Sequence, residues 1–160
     1  MGGSLSFLNS NPSTSHYDKI IPNLYIGDKY SIYEPFFSHQ PKLLIINATK
    51  NVLYNKKLNA DTIRIPVDDD LSEFSNIILR NNLNKITGII DTYLKNEYII
   101  LVHCVAGRQR SCSIVAGYLM KFKNYHMKHA IEFIQSKRPY AFFINVNFER
   151  SLKKFSQTLK

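Results

Sequence analysis

The stretch that most constrains this chain runs from Ile99 to Met120 and predicts a strand, a tight loop and a helix. The apolar, largely β-branched run 99–102 is typical of a buried strand. Gly107 permits the positive φ or close backbone approach that a tight loop needs. From Ser111, which we expect to cap the helix, apolar residues recur at helical spacing. The loop of this strand–loop–helix unit therefore begins at Cys104.

The loop has the features of an anion-binding site. Successive backbone N–H groups at a helix N-terminus form a cradle for anions. The planar guanidinium of Arg110 binds two phosphate oxygens at once. The same N–H groups stabilise a thiolate at Cys104, which would lie beneath a bound phosphorus and attack it. The pattern predicts phosphoryl transfer, and the alternative is a buried structural cysteine beside an arginine paired with a carboxylate.

The neighbours of Cys104 and Arg110 have predicted supporting roles. We expect His103 to orient the loop and to polarise the surroundings of Cys104. We expect the Ser111 hydroxyl to hydrogen-bond the sulfur and to help it leave when a phosphocysteine is hydrolysed. The residues between the cysteine and the arginine form the predicted phosphate-binding loop, namely Val105, Ala106, Gly107, Arg108 and Gln109.

The run from His103 to Ser111 resembles the HCxxGxxRS signature loop of the cysteine-based protein tyrosine phosphatases. The Ala106–Gly107 pair and the segment 21–27 are similar to the dual-specificity branch of that superfamily. The resemblance spans roughly residues 17–155. It implies an intracellular enzyme that hydrolyses phosphotyrosine, phosphoserine and phosphothreonine through a phosphocysteine, with no cofactor and no metal ion.

The chain departs from the family pattern at four positions. Ile144 stands where the family usually has Pro, and Asn147 stands where it usually has Gly. Because Asn tolerates the left-handed backbone region better than most residues, we expect the turn at Asn147 to survive. Arg108 and Gln109 occupy loop positions where small or apolar residues are frequent.

Three consecutive carboxylates, Asp68, Asp69 and Asp70, follow an apolar run at residues 63–67. A phosphatase needs a general acid to protonate the leaving oxygen, and a carboxyl group is the usual choice. Adjacent carboxylates repel one another, so we expect the triplet to keep a proton available. In the dual-specificity pattern the acid follows an Ile-Pro-hydrophobic-x-Asp run. The resemblance places the acid at Asp69, with Asp68 and Asp70 as open alternatives.

Hydrophobic periodicity and turn residues predict the scaffold around this unit. We expect two strands within 17–30, a short helix at 31–37, strands at 43–49 and 63–67, a helix over 71–94 that is broken or bent at 81–82, and helices over 126–137 and 147–160. This alternation predicts an α/β fold, with a central, mostly parallel sheet of four or five strands and helices on both faces. The strand that leads to Cys104 should be central.

The chain of 160 residues is long enough for one domain, which we expect over residues 17–160 after a Ser/Asn/Pro-rich arm at 1–16. Its hydrophobic content of 44% excludes a disordered chain. No apolar run has the length of a membrane span, and the start lacks the features of a secretory signal. The two cysteines form no disulfide framework, which favours a reducing compartment, the cytoplasm.

The first residues match the myristoylation pattern M-G-x-x-x-[ST], in which Gly2 carries the acyl chain, and a flexible start is the alternative. An acyl chain on Gly2, together with the net charge of +9, would favour binding to an acidic membrane surface. The charge is equally consistent with RNA or phosphorylated proteins.

Arg108 leaves the substrate class open. A second cation in the loop suits phosphoinositides or RNA 5′-phosphates, unless Arg108 is a solvated surface residue. Apolar Val105 stands where the lipid-directed relatives often have Lys, which weakens the lipid alternative. We expect phosphorylated proteins as substrates. Lipid phosphates or RNA 5′-phosphates are the alternative, and a non-catalytic phosphoprotein-binding role is the least favoured.

Overall fold

Five strands form the central sheet, in the order β1 (Tyr17–Ile21), β2 (Leu24–Gly27), β5 (Ile99–His103), β3 (Leu43–Asn47) and β4 (Asp61–Arg64). The structure, a computed structural model, describes residues 15–160. Gly2 and most of the predicted arm lie outside the described residues. Strands β1 and β2 are antiparallel, and every other neighbouring pair is parallel.

Strand β5 lies at the centre of the sheet, as predicted, because it pairs with β2 on one side and with β3 on the other. Its residues Ile100, Leu101 and Val102 are fully buried. A strand buried on both faces carries a continuous apolar run rather than an alternating one, which explains the pattern in the sequence. Cys104, which follows the carboxyl end of β5, therefore lies next to the ends of β2 and β3.

Strand β4 ends earlier than predicted. The sequence predicts a strand over 63–67, whereas the strand spans Asp61–Arg64. Pro66 has no backbone N–H and cannot continue the ladder with β3. The last hydrogen bond across to β3 comes from the N–H of Ile65, which donates to the carbonyl of Asn47 at 2.9 Å. Ile65 and Val67 are nevertheless buried. Their apolar side chains therefore belong to the core, although the two residues lie outside strand β4.

Helices cover both faces of the sheet, as predicted. The larger core lies between one face and four helices, α2 (Glu73–Lys95), α3 (Arg110–Phe122), α4 (Met127–Lys137) and α5 (Glu149–Thr158). A smaller core covers the other face beneath a 3₁₀ turn, Ser31–Tyr33, and the short helix α1, Pro35–Ser38. Pro35 opens α1, which separates the predicted single helix at 31–37 into these two turns.

Helix α2 is continuous, so no break occurs at residues 81–82. The Asn82 side chain donates from Nδ2 to the carbonyl of Ile78 at 2.8 Å and stays on its own helix. At the start of the helix, Ser72 accepts a hydrogen bond from the N–H of Ser75 at 3.0 Å and acts as the N-cap. This cap fixes where α2 begins, just after the three aspartates.

A buried arginine at the end of α4 binds both β1 and the loop that follows β5. Arg138 is 7% exposed, and its Nη1 lies 2.7 Å from Oδ2 of Asp18 on β1. Its Nε donates to the carbonyl of Gly107 at 2.7 Å. One guanidinium therefore joins β1 to the loop that follows β5.

Replacement of this arginine should destabilise the fold. In Arg138→Met, the carboxylate of Asp18 and the carbonyl of Gly107 lose their partner, and loss of one member of such a buried pair costs about 3–5 kcal/mol. Urea unfolding of the wild type and variant measures this loss. The control is Lys128→Met, since Lys128 and Glu132 form an exposed pair with an N–O distance of 3.8 Å; it should change the free energy of unfolding by less than about 1 kcal/mol. Equal losses in the two variants would contradict the assignment.

Candidate active site

The loop 104–109 joins the carboxyl end of β5 to the first turn of α3. Gly107 has a φ of +65°, which confirms the predicted positive φ. A Cβ atom at Gly107 would lie 2.6 Å from the carbonyl oxygen of Gly27 and 2.7 Å from Nη2 of Arg138. Only glycine fits this position, both for its backbone angle and for its space. The loop is thus closed tightly against β2 and Arg138.

Cys104 lies at the base of this loop with 2% of its surface exposed. Its Sγ is 3.2 Å from Oγ of Ser111, so the predicted contact between hydroxyl and sulfur is present. The prediction that Ser111 caps the helix is wrong. Helix α3 begins at Arg110, one residue before Ser111. Its N-cap residue is Gln109, whose side chain makes no capping hydrogen bond. Ser111 therefore lies within the first turn of α3, and its hydroxyl faces the sulfur of Cys104.

Arg110 extends from the start of α3 toward the segment that precedes the aspartates. Its Nη1 donates to the carbonyl of Val67 at 2.9 Å, and its side chain is largely buried. Its Nε is buried and has no hydrogen-bond partner among residues 15–160. The guanidinium is held by one bond and keeps further N–H groups that can bind an anion.

Two of the three aspartates have other partners. Asp68 lies 2.7 Å from Nζ of Lys50 through its Oδ2. Asp70 accepts hydrogen bonds from the N–H of Ser72 at 3.0 Å and from Oγ of Ser75 at 2.8 Å. The hydrogen bonds from Ser72 and Ser75 lower the pKa of Asp70 to about 2. The expectation that repulsion within the triplet favours the protonated form is wrong for Asp70, because these hydrogen bonds stabilise its carboxylate.

Asp69 is bonded to the loop that precedes α5. Its Oδ1 accepts a hydrogen bond from Nδ2 of Asn147 at 2.8 Å, and the N–H of Asn147 donates to Oε1 of Gln109 at 3.0 Å. Asn147 does not have the expected left-handed backbone. The sequence analysis missed its contact with Asp69, since the two residues are 78 positions apart. The only signal was the presence of Asn where the family usually has Gly.

His103 is fully buried before the nucleophile. Its Nδ1 lies 3.3 Å from the carbonyl oxygen of Cys104, so it contacts the backbone of the nucleophile rather than the sulfur. Burial lowers the pKa of His103 to about 4, and the positive charges of Arg64 and Arg110 act in the same direction. The imidazole is therefore neutral at pH 7.

Arg108 is not a freely solvated side chain. Its guanidinium carbon lies 5.5 Å from the centre of the Tyr140 ring, and the residue is partly buried. The carbonyl of Arg108 accepts a hydrogen bond from the N–H of Phe142 at 2.7 Å. The phosphate loop and the segment that follows α4 are thus packed together. Val105 and Ala106, at the opposite end of the loop, are exposed.

Two structural features are absent from residues 15–160. No group of three or more His, Cys, Asp or Glu side chains is arranged to hold a metal ion. No helix in this part of the chain has the length and apolar character needed to cross a membrane.

Comparison with known sequences identifies relatives of this site. The family described as "Dual specificity phosphatase, catalytic domain" matches residues 24–158. Protein 123R of Invertebrate iridescent virus 6, which is named as a tyrosine phosphatase, is 34% identical over 142 residues, covering 88% of this chain and 92% of the viral protein. Human dual specificity protein phosphatase 16 is 26% identical over 144 residues, covering 89% of this chain but 21% of the human protein.

Solved structures share the fold. Human DUSP28 has a TM-score of 0.81 at 22% identity, covering 94% of this chain and 99% of DUSP28. OH1 from the Orf virus, described as a tyrosine phosphatase with triple substrate specificity, has a TM-score of 0.68 at 22% identity. This match covers 89% of this chain and 88% of OH1.

The chain belongs to the dual-specificity phosphatase family of the cysteine-based protein tyrosine phosphatases. It is an enzyme that dephosphorylates proteins. The predicted family, α/β fold and enzyme class are confirmed.

The buried His103 should make stability depend on pH. Its pKa is about 4 in the folded protein against 6.5 for an unperturbed histidine. Between these values the unfolded chain binds more protons, so the free energy of unfolding should fall as the pH falls from 6.5 to 4, by about 3 kcal/mol from this residue. Urea unfolding at several pH values should give a shallower pH dependence for His103→Asn. Parallel curves for the variant and the wild type would contradict this assignment.

Proposed function

We propose that this phosphatase cleaves phosphotyrosine, phosphoserine and phosphothreonine in proteins through a phosphocysteine on Cys104. One observation carries the proposal: the buried sulfur lies at the base of the closed loop, 3.2 Å from the Ser111 hydroxyl. In the first step the Cys104 thiolate forms a bond to phosphorus while the bond from phosphorus to the leaving oxygen breaks. The loop N–H groups and the Arg110 guanidinium hold the phosphoryl oxygens.

Asp69 and Ser111 assist the two bond-breaking steps. Asp69 donates its proton to the leaving oxygen in the first step. In the second step a water molecule gives a proton to the Asp69 carboxylate and its oxygen bonds to phosphorus, while the bond from phosphorus to sulfur breaks. The Ser111 hydroxyl donates a hydrogen bond to the departing thiolate. Phosphate is released and Asp69 is protonated again for the next cycle.

The partners of the three aspartates support Asp69 as the acid. Asp68 is already paired with Lys50, with 2.7 Å between Oδ2 and Nζ. Asp70 is fixed at the start of α2 by Ser72, and with a pKa of about 2 it is ionised at neutral pH and holds no proton to donate. Asp69 is exposed, and its one side-chain hydrogen bond within residues 15–160 comes from a neutral amide. It is also the residue that the family pattern selects.

Substitution of each aspartate by asparagine tests this assignment. Asp69→Asn should lower kcat for phosphopeptides by about 10²–10⁴-fold, since the leaving oxygen loses its proton donor. The loss in kcat/KM should be much smaller for aryl phosphates with acidic leaving groups, which depart without protonation. Steady-state kinetics with both kinds of substrate measures the difference. The matched controls, Asp68→Asn and Asp70→Asn, should lose less than about 10-fold on either substrate. A larger effect at Asp68 or Asp70 would move the acid to that position.

The surface around the loop supports a protein substrate. The exposed large hydrophobic residues within 15–160 all lie in, or within two residues of, segments at the carboxyl edge of the sheet: Tyr30, Tyr33, Leu53, Leu71, Phe74, Val105, Phe143 and Ile144. Exposed apolar side chains in these segments suit a phosphorylated residue flanked by apolar side chains. This edge is therefore better matched to a polypeptide than to a bare phosphate backbone.

The distribution of charge supports the same choice. Four connecting segments begin at this edge, 28–34, 48–60, 65–72 and 104–109, and a fifth, 138–148, packs against the last of them. Together they contain six Lys or Arg residues and five Asp or Glu residues, whereas the whole chain has a net charge of +9. The excess of positive charge therefore lies mostly away from the active edge. Acidic membranes and RNA attract basic surfaces, so neither would be drawn preferentially to this edge.

Arg108 provides the test of substrate class. Because its guanidinium packs on Tyr140, Arg108→Ala should change kcat/KM by a similar factor for a phosphopeptide, a phosphoinositide and an RNA 5′-triphosphate. The wild type should prefer the phosphopeptide. If Arg108 instead binds additional phosphates, the variant would lose about 10–150-fold selectively on the polyphosphorylated substrates. That selective loss would contradict the protein-phosphatase assignment and leave the chemistry at Cys104 unchanged.

We place this activity in the cytoplasm, because the thiolate of Cys104 needs a reducing compartment. Acylation of Gly2, and the membrane association that it would favour, stay predictions from the sequence pattern.

A further inference from the structure

Two residues that depart from the family pattern contact each other. Gln109 lies in the phosphate loop where small or apolar residues are frequent, and Asn147 lies where the family usually has Gly. The N–H of Asn147 donates to Oε1 of Gln109 at 3.0 Å. The departures therefore form one connected structure rather than two independent changes.

Gln109 holds the segment that carries Asn147. Its side chain is 4% exposed. Its Nε2 donates to the carbonyl of Asn145 at 2.7 Å and to that of Phe143 at 3.1 Å. With the bond from Asn147, both polar atoms of the Gln109 amide are used. The position of Asn147 is thus fixed by a residue adjacent to Arg110.

Asn147 in turn holds one oxygen of Asp69. Its Nδ2 donates to Oδ1 of Asp69 at 2.8 Å. Since Oδ1 accepts this hydrogen bond, the proton of the neutral acid is favoured on Oδ2. A glycine at position 147 would provide no such donor. The Asn147 side chain, which a glycine would lack, therefore contacts the carboxyl group of Asp69 directly.

We propose that Asn147 is a positioning residue that orients Asp69 for proton transfer, with Gln109 fixing Asn147 to the phosphate loop. The inference rests on the proposed role of Asp69 as the general acid. It makes the acid and the phosphate cradle one hydrogen-bonded unit. Pre-organisation of this kind contributes to catalysis only in steps that use the acid.

The contact is not needed to hold the two segments together. Nη1 of Arg150 at the start of α5 lies 2.6 Å from Oε2 of Glu73 at the start of α2. The buried Ser151 hydroxyl of α5 also donates to the carbonyl of Asn76 in α2 at 2.8 Å, so the same two regions are joined independently of Asn147. Loss of the Asn147 side chain should therefore leave the fold intact and change the orientation of Asp69.

The test compares substrates that differ in their need for the acid. Asn147→Ala and Asn147→Gly should lower kcat/KM by about 2–13-fold on phosphopeptides and phenyl phosphate, the value of one hydrogen bond between neutral groups. Both variants should keep near wild-type kcat/KM on p-nitrophenyl phosphate, because kcat/KM reports the first step and this leaving group needs little protonation. The matched control is Asn145→Ala in the same loop, since the Asn145 side chain has no hydrogen bond within residues 15–160 and only its carbonyl binds Gln109. It should behave as the wild type on all three substrates.

A double-mutant cycle separates positioning from a structural role. In an Asp69→Asn background, Asn147→Ala should cause no further loss, because the group that it orients is already removed. An equal loss on all substrates, a loss that persists in that background, or the same selective loss in Asn145→Ala would overturn the proposal. If Asp69→Asn itself has no effect, the assignment of the acid fails and this inference fails with it. If Asp69→Asn is impaired and Asn147→Ala is not, only this inference fails.

Discussion

The close approach of the phosphate loop to β2 is the constraint on which the rest of the site depends. At Gly107 the backbone has a positive φ and lies so near the carbonyl of Gly27 that no Cβ fits. Arg138 completes this closure through its hydrogen bond to the carbonyl of Gly107. Because β5 is central, the loop receives support from both sides of the sheet. The buried position of Cys104 follows from this closure.

The same type of side chain has three different roles within three positions of the chain. Asp68 is paired with Lys50, Asp70 stabilises the start of α2, and Asp69 is bonded to Asn147. These differences arise from the partners and not from the carboxyl groups themselves. The hydrogen bonds at the start of α2 hold Asp70 as a carboxylate, which supports the proposal that Asp69 donates the proton. In this account the active site depends on the hydrogen-bonding of a helix start as much as on its catalytic residues.

The features that the sequence predicted well are local ones. The strand–loop–helix unit, the positive φ at Gly107 and the central position of β5 follow from a short run of residues and its buried character. The wrong predictions concern tertiary context. The end of β4 is set by Pro66 and its pairing with β3, and Ser111 is not the N-cap because α3 begins at Arg110, two residues before the start that such a cap implies. The contacts of Asn147 and Arg138 join distant segments, and no local pattern reports them.

The central claim is that Cys104 carries the phosphoryl group during turnover. Rapid acid quench of the enzyme with a phosphorylated substrate, followed by mass spectrometry of its peptides, measures this directly. The account predicts one added phosphoryl group on the peptide that contains Cys104, with no such adduct and no hydrolysis in Cys104→Ser. Accumulation should increase in Asp69→Asn when the leaving group is acidic, since attack then proceeds while water activation is impaired. Hydrolysis by Cys104→Ser, or a phosphoryl group found on another residue, would contradict the account.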